Sequence, residues 1–94
     1  MSITRINHFE AKSGSEADLL AFMQCVVAAV SAADGCINCR LLQGAESAAQ
    51  FAVIEEWASI EHHKAAASII PKEQLEQAMR FFAKPPFGIY YKYE

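Results

Sequence analysis

The 94-residue sequence is poor in cysteine and has no long apolar run. Its three cysteines are an odd number, and Met1 is followed by alternating residues rather than by an apolar leader. This usage argues against structural disulfides and predicts a reduced, cytoplasmic protein. The most apolar stretch, residues 19–33, includes Gln24 and Ser31 and is too short to span a bilayer, so we predict a buried helix there and no membrane segment.

Basic residues are also scarce. Eight Lys and Arg residues stand against eleven Asp and Glu residues, which gives a net charge of −3, and the basic residues form no run. The sequence therefore offers no electrostatic case for binding nucleic acid or an anionic membrane. It also has no phosphate-binding glycine loop and no cofactor fingerprint. We expect no cofactor, no nucleic-acid partner and no membrane partner.

Hydrophobic residues, in contrast, make up 53% of the chain. This share excludes disorder and predicts a packed core in one domain that covers residues 1–94. A chain of this length buries a smaller fraction of its surface than a long chain does, so a second subunit would help to stabilise it.

Two periodicities divide the chain into strands and helices. The alternating pattern predicts strands at residues 2–11, 36–43, 51–57 and 87–94. The helical pattern predicts helices at residues 16–33, 60–68 and 72–83, the last one lined on one side by Leu75, Ala78, Met79 and Phe82. The resulting β-α-β-β-α-β order predicts an α+β, ferredoxin-like fold with a four-stranded antiparallel sheet.

A sheet of this kind is covered by its helices on one face only. The predicted strands carry few charges, so we expect the second face to meet a partner, most simply the other subunit of a two-fold homodimer. In the first strand both faces mix polar and apolar residues. The sequence therefore leaves open which of its faces is buried.

Capping residues mark where the helices begin and end. Ser15 with Asp18 three residues later predicts a capping box at the first helix, and Gly35 predicts its end. Ser59 is expected to cap the second helix, since its hydroxyl can accept a backbone N–H of the first turn.

The candidate site lies at the junction of the third strand and the second helix. Trp57 ends the strand, and His62 and His63 follow in the first turns of the helix. Neighbouring helical residues point about 100° apart, so the two histidines do not readily bind one metal ion. One of them is expected to face a pocket as a general base or a hydrogen-bonding group. A solvated helix face is the alternative interpretation.

The predicted strands contain two further candidate features, a Cys-x-x-Cys spacing and a pair of adjacent glutamates. Cys36 and Cys39 have Cys-x-x-Cys spacing, but strand residues three apart point to opposite faces, which favours buried structural thiols over a redox or metal site. We predict no metal site. Glu55 and Glu56 are expected to lie on opposite faces, and a buried carboxylate would need a partner such as Arg5, Arg40 or a tyrosine hydroxyl.

Three short motifs resemble those of the antibiotic biosynthesis monooxygenase family. They are the Gly14 turn before the first helix, Gly35-Cys36 at the start of the second strand, and the run Glu55-Glu56-Trp57-Ala58-Ser59 that ends the third strand. Together with the order of elements, this resemblance covers nearly the whole chain. It implies a dimeric α+β barrel built from two ferredoxin-like subunits.

The resemblance also implies a range of activities. The family includes cofactor-free oxygenases of aromatic polyketides, quinol monooxygenases, haem-degrading enzymes, isomerases of a signalling molecule, and members without known activity. Haem degradation is not expected, because the family's helical Trp and later His correspond here to Ala66 and Glu76. The implied function is oxidation of a small aromatic phenol or quinol by O₂ without a cofactor. The alternative is a non-oxygenase dimer that binds or isomerises a small metabolite.

The family's site residues are only partly present in this sequence. The polyketide oxygenases have an Asn four residues before the Trp and a Tyr six residues after it; these positions are Val53 and His63 here. The resemblance implies His63 as the catalytic base, with His62 as its substitute. The implied substrate-binding residues are Asn7, Trp57, Phe82 and Tyr91.

Overall fold

The computed structural model describes residues 2–94. Its elements are β1 (Ile3–Glu10), α1 (Glu16–Ser31), β2 (Cys36–Gln43), β3 (Gln50–Trp57), α2 (Ile60–Ala65), α3 (Lys72–Ala78) and β4 (Phe87–Tyr91). Single 3₁₀ turns at Ala66–Ser68 and Met79–Phe81 follow α2 and α3. The predicted α+β class and ferredoxin-like order of elements are confirmed. Within residues 2–94, no helix combines the length and apolar character that a membrane crossing requires.

The four strands form one antiparallel sheet in the order β2-β3-β1-β4. On β3, four alternating residues are buried against the helices: Phe51, Val53, Glu55 and Trp57. Their partners on β1 are Phe9, Asn7, Arg5 and Ile3. Because directly opposed residues share a face of the sheet, this register settles which face of β1 is directed towards the helices.

The hydrophobic core lies between α1 and the centre of the sheet. Leu19 and Met23, one helical turn apart, are buried against Phe51 and Val53. Ala11, just after β1, completes this buried cluster. The core therefore occupies one half of the helix-facing side of the sheet and leaves the half near Trp57 for polar side chains.

The helix ends agree with the predictions in part. Gly35 has the left-handed φ of +83° expected at the end of α1. The Ser59 hydroxyl accepts the N–H of His62 at 3.1 Å, so the predicted cap of α2 is confirmed. The predicted capping box at Ser15 is wrong, because the Ser15 side chain makes no capping hydrogen bond and the Glu16 carboxylate accepts the N–H of Gly14 instead.

The third helix ends earlier than predicted. The Phe81 carbonyl accepts the N–H of Lys12, and the N–H of Ala83 donates to the Glu10 carbonyl, both at 2.8 Å. These bonds hold the backbone beside the end of β1 and make Phe82 extended rather than helical. Leu75 and Met79, which were predicted to lie on one side of this helix, are exposed in the single chain, at 41% and 64%.

A β-bulge in β2 changes the face of the sheet to which its first residues point. The register shifts between Cys36 and Asn38, so that Cys36 lies opposite Trp57 and Cys39 lies opposite Glu55. The prediction that the two thiols point to opposite faces is wrong, because the extra residue resets the period of two. Ile37 turns outward instead and is 57% exposed.

The two thiols on β2 are free and half-buried. Burial, with the nearby charge of Glu55, raises the pKa of the Cys39 thiol to about 12, so it stays protonated at neutral pH. Within residues 2–94, no three His, Cys, Asp or Glu side chains are grouped as a metal site would require.

Candidate functional site

A buried carboxylate, Glu55, is the centre of a polar cluster on the helix-facing side of the sheet. Glu55 is only 6% exposed. Its Oε1 accepts the indole N–H of Trp57 at 2.8 Å, and its Oε2 accepts the side-chain amide of Asn7 at 2.9 Å. Both carboxylate oxygens therefore have a hydrogen-bond donor, which offsets the cost of burying the group.

The period of two and the strand pairing bring these groups together. Glu55 and Trp57 are two residues apart, so they point to the same face of β3. Asn7 lies opposite Val53 and Arg5 lies opposite Glu55 on the adjacent strand. The four polar side chains, Glu55 and Trp57 on β3 and Arg5 and Asn7 on β1, thus come from neighbouring positions of two paired strands.

His63 approaches this cluster from α2. Its Nδ1 is hydrogen-bonded to the hydroxyl of Tyr90 at 2.5 Å, and its Nε2 lies 3.8 Å from Glu55 Oε1. Its ring meets Trp57 edge-on, with centroids 5.5 Å apart. The Ser59 cap begins α2 directly after the strand, and one turn later the helix places His63 over Trp57. The imidazole is therefore held between three neighbours.

Arg5 and Tyr90 form the far side of the cluster. The Arg5 guanidinium lies 4.5 Å from the centroid of the Tyr90 ring, and its Nε donates to Asn7 Oδ1 at 2.9 Å. Gly88 lies opposite Asn7 on β4. A Cβ atom at that position would overlap the Asn7 side-chain oxygen and crowd Arg5, so the glycine permits their close approach.

Burial shifts the titration of both ionisable groups at the centre. Desolvation raises the pKa of Glu55, and the hydrogen bond from Trp57 and the charge of Arg5 oppose this shift without cancelling it. Desolvation lowers the pKa of His63, and the positive charge of Arg5 lowers it further. His63 is therefore neutral at neutral pH and has a lone pair available to accept a proton.

A small cavity opens onto these groups. It has a volume of about 140 Å³ and lies between the sheet and the helical segment that follows β3. Its polar wall is formed by Glu55 and His63 beside the Trp57 indole. The rest of the lining is apolar: Val30, Ala66, Ala67, Ile69 and Ile70. A polar base in an apolar enclosure suits binding of a small, flat molecule with one reactive hydroxyl.

The structure brings together three of the six residues predicted for the site: Asn7, Trp57 and His63. His62 lies on another side of α2. Its Nδ1 is 2.7 Å from the Ser59 hydroxyl, and its ring packs on Gly35, where a Cβ would overlap it. Its side chain is 40% exposed and borders a different cavity.

The other two predicted residues also lie outside the cluster. Phe82 stacks on Phe9, with centroids 5.9 Å apart, beside the apolar core. Tyr91 lies opposite Thr4 and so belongs to the sheet face that the helices do not cover. Tyr90, one residue earlier, is the tyrosine that reaches His63.

The sequence did not predict Arg5 or Tyr90 as site residues, although it offered Arg5 or a tyrosine hydroxyl as the partner of a buried carboxylate. The hydrogen-bond partners of Glu55 are instead Trp57 and Asn7. The alternation of β3 already indicates a buried Glu55 beside Trp57. The place of Arg5 and Tyr90 in the cluster follows only from the strand register, which pairs Arg5 of β1 with Tyr90 of β4. No local pattern in the sequence encodes that pairing.

The buried Glu55 carboxylate and the half-buried His63 imidazole thus line one wall of a small, mostly apolar cavity on a ferredoxin-like sheet. The family profile described as antibiotic biosynthesis monooxygenase matches residues 2–68. The chain belongs to this family. No sequence among the curated proteins matches it.

Solved structures share the fold over almost the whole chain. A conserved protein from Methanosarcina mazei Go1 superposes with a TM-score of 0.87 at 14% identity, over 100% of this chain and 94% of that one. Rv0793 from Mycobacterium tuberculosis gives 0.84 at 14%, over 100% and 96%. A variant of SnoaB, a cofactor-independent oxygenase from Streptomyces nogalater, gives 0.81 at 14%, over 98% and 92%. At these identities the likeness establishes the fold alone.

Proposed function

We propose that this protein is a cofactor-independent monooxygenase that oxidises a small aromatic phenol or quinol with O₂. The observation that carries the proposal is His63, a half-buried imidazole with a lowered pKa, which lines an apolar cavity next to the Glu55 carboxylate. Membership of the family and the structural likeness to a cofactor-independent oxygenase support the same chemistry.

Proton removal from the substrate is the step assigned to His63. When His63 Nδ1–H donates to the Tyr90 hydroxyl, the free lone pair resides on Nε2, beside Glu55 Oε1. A phenol in the cavity can transfer its proton to this nitrogen. The imidazolium that forms lies next to the Glu55 carboxylate, which stabilises its charge. Tyr90 thus orients the base through Nδ1, and Glu55 stabilises the imidazolium once Nε2 is protonated.

Oxygen transfer then follows from the chemistry of the aromatic anion. The electron-rich phenolate gives electrons to O₂ and forms a carbon–oxygen bond at a ring carbon that carries hydrogen. One oxygen atom stays as the carbonyl of a quinone, and the other leaves as water with the phenol and ring hydrogens. The substrate loses four electrons and O₂ gains four, so no flavin or metal is needed for the balance. Trp57 and the apolar lining hold the flat ring during these steps.

Oxygen uptake by the purified protein tests the proposal. A panel of quinols and hydroxylated polycyclic phenols is supplied without flavin or metal, and consumption is compared with autoxidation. We expect uptake that falls at least about a hundredfold in His63→Ala, the loss typical of a missing general base. His62→Ala is the matched control, because it removes the neighbouring histidine, which lies outside the cluster. Equal activity of the wild type and His63→Ala would overturn the assignment of the base.

The same proposal includes a homodimer formed through the open face of the sheet. Four large apolar side chains on this face are 45–53% exposed: Leu42, Phe87, Ile89 and Tyr91. Ile6 and Ile54 lie between them. Apolar patches of this kind mark interaction surfaces in soluble proteins.

We further propose a reducing, cytoplasmic location, which agrees with three free thiols.

A second candidate function is binding or isomerisation of a small metabolite without oxygen chemistry. The observation that favours it is the absence of the family's Asn and Tyr at positions occupied by Val53 and His63. In that case, metabolites would raise the melting temperature while no substrate in the panel consumed oxygen. Thermal-shift measurements on the same panel, run beside the oxygen electrode, separate the two functions.

A further inference from the structure

We propose that Arg5 and Asn7 form a carboxylate-binding site, and that the substrate of the His63 centre is therefore a hydroxylated aromatic acid. The identity of the substrate rests on the proposed oxygenase function, whereas the carboxylate site itself does not.

Arg5 is half-buried but lacks an ionic partner. Among residues 2–94, no Asp or Glu oxygen lies within 4.0 Å of its guanidinium. Glu55 is opposite on the adjacent strand, but its two oxygens are taken by Trp57 and Asn7. The only side-chain hydrogen bond of Arg5 in the described residues uses Nε. The two terminal nitrogens therefore remain available to a ligand.

A cavity of about 170 Å³ adjoins this guanidinium. Arg5 and Asn7 supply its polar lining, and the apolar lining is Phe9, Pro86, Phe87 and Gly88. A Cβ on Gly88 would crowd the Nε and Nη2 atoms of Arg5, so glycine keeps this side of the guanidinium accessible. A planar guanidinium with free terminal nitrogens binds a carboxylate through two parallel hydrogen bonds, and the apolar walls suit an attached ring.

Arg5, which lines one cavity, and His63, which lines the other, both contact Tyr90. The Arg5 guanidinium is 4.5 Å from the centroid of the Tyr90 ring, and the His63 centroid is 5.3 Å from it. At about 170 and 140 Å³, each cavity has room for a single small ring, whereas sites for larger ligands measure about 300 Å³ or more. One molecule with a carboxylate at Arg5 and a hydroxyl at His63 would use both.

Binding of benzoate, measured by NMR and calorimetry, tests the carboxylate site directly. Benzyl alcohol is the neutral probe of the same shape. We expect benzoate to shift the Arg5 Nε–Hε resonance and to bind at least tenfold more tightly than benzyl alcohol. Arg5→Gln should weaken benzoate binding by about tenfold or more, because a charge-assisted bidentate pair is lost.

Control variants separate this site from general effects. Arg80→Gln removes an exposed arginine in the turn after α3 and should leave benzoate affinity unchanged. His63→Ala should also retain it, because His63 does not line the Arg5 cavity. Unchanged affinity in Arg5→Gln, or a wild-type titration that leaves the Arg5 resonance unmoved, overturns the site. If Arg5→Gln does not fold, the wild-type resonance and the benzyl alcohol comparison decide the question.

Oxygen uptake with 2,5-dihydroxybenzoate tests the inferred substrate class. We expect Arg5→Gln to raise KM by about tenfold, and this KM effect to be absent for hydroquinone, which has no carboxylate. Benzoate bound at Arg5 without any oxygen uptake would overturn the oxygenase function and leave the carboxylate site intact. Uptake that depends on His63 but not on Arg5 would overturn the substrate class and leave the oxygenase function intact.

Discussion

At the scale of single residues, the charge of Arg5 acts on the proposed base, His63, and lowers its pKa. His63 has Tyr90 on one ring nitrogen and Glu55 near the other, and Arg5 lies behind Tyr90. Desolvation and Arg5 both lower the pKa of His63. Tyr90 thus positions the imidazole, while burial and the Arg5 charge keep it deprotonated at neutral pH.

The first prediction concerns the titration of His63. Removing the positive charge in Arg5→Gln should raise the pKa of His63 towards its ordinary value, with Arg80→Gln as the control. Because the pKa of His63 is lower in the folded chain, this group favours folding above its unfolded pKa of about 6.5 and loses that contribution as pH falls towards the folded pKa. NMR titration of the His63 ring checks the shift. A lower His63 pKa in Arg5→Gln would contradict the assigned role of the charge.

Tyr90 gives a second prediction at this scale. In Tyr90→Phe the hydrogen bond to His63 Nδ1 is lost while the ring beneath Arg5 remains. We expect the free energy of unfolding to fall by about 1 kcal/mol, the usual net value of a hydrogen bond, and turnover to fall as the base loses its orientation. Tyr91→Phe, which alters a hydroxyl on the other face of the sheet, is the matched control. Urea unfolding and oxygen uptake measure the two effects.

Residue-level prediction from the sequence was most informative where the signal was local. It put the candidate site at the junction of β3 and α2, where Trp57 and His63 are in contact and Asn7 also lies. Tyr91 was chosen where Tyr90 faces the cluster. The choice depends on the register of β4 against β1, and residues one apart on a strand point to opposite faces.

At the scale of elements, the two predicted N-terminal caps form a natural comparison. Ser59 accepts the N–H of His62, whereas the Ser15 side chain makes no capping hydrogen bond. Ser59→Ala should therefore lower the free energy of unfolding by about 1 kcal/mol, and Ser15→Ala should cost clearly less. Urea denaturation of both variants measures the difference. An equal loss of unfolding free energy in the two variants would show that the Ser59 hydroxyl does not stabilise α2 as a cap.

The order of elements was predictable, but their ends and irregularities were not. Period-two and helical patterns identified all four strands and the helical segments. The bulge in β2 has no local sequence signal, since it arises from the pairing of Cys36 with Trp57 and of Cys39 with Glu55. The early end of α3 likewise depends on backbone bonds to the distant end of β1. Tertiary pairing, which local patterns do not encode, decides both.

At the scale of the whole molecule, the sheet has two unlike faces. The helix-facing side carries the core and the Glu55 cluster, and both are already buried within one chain. The open side presents apolar residues of β1, β2 and β4 to solvent in the single chain. A 94-residue chain has few other ways to bury more apolar surface, so dimerisation through this face would add to its stability.

The last prediction tests this surface with two substitutions matched in exposure. Ile89 lies on the edge strand β4, opposite Ile6 on the open face, and is 47% exposed, whereas Leu75 lies on α3 and is 41% exposed. Ile89→Lys should give a monomer, because an interface core does not tolerate an unpaired charge, and Leu75→Lys should stay dimeric. Light scattering after gel filtration measures the mass, and a melting temperature that depends on concentration should be lost only in Ile89→Lys. Dissociation by Leu75→Lys alone would instead place the interface on the helical side of the sheet.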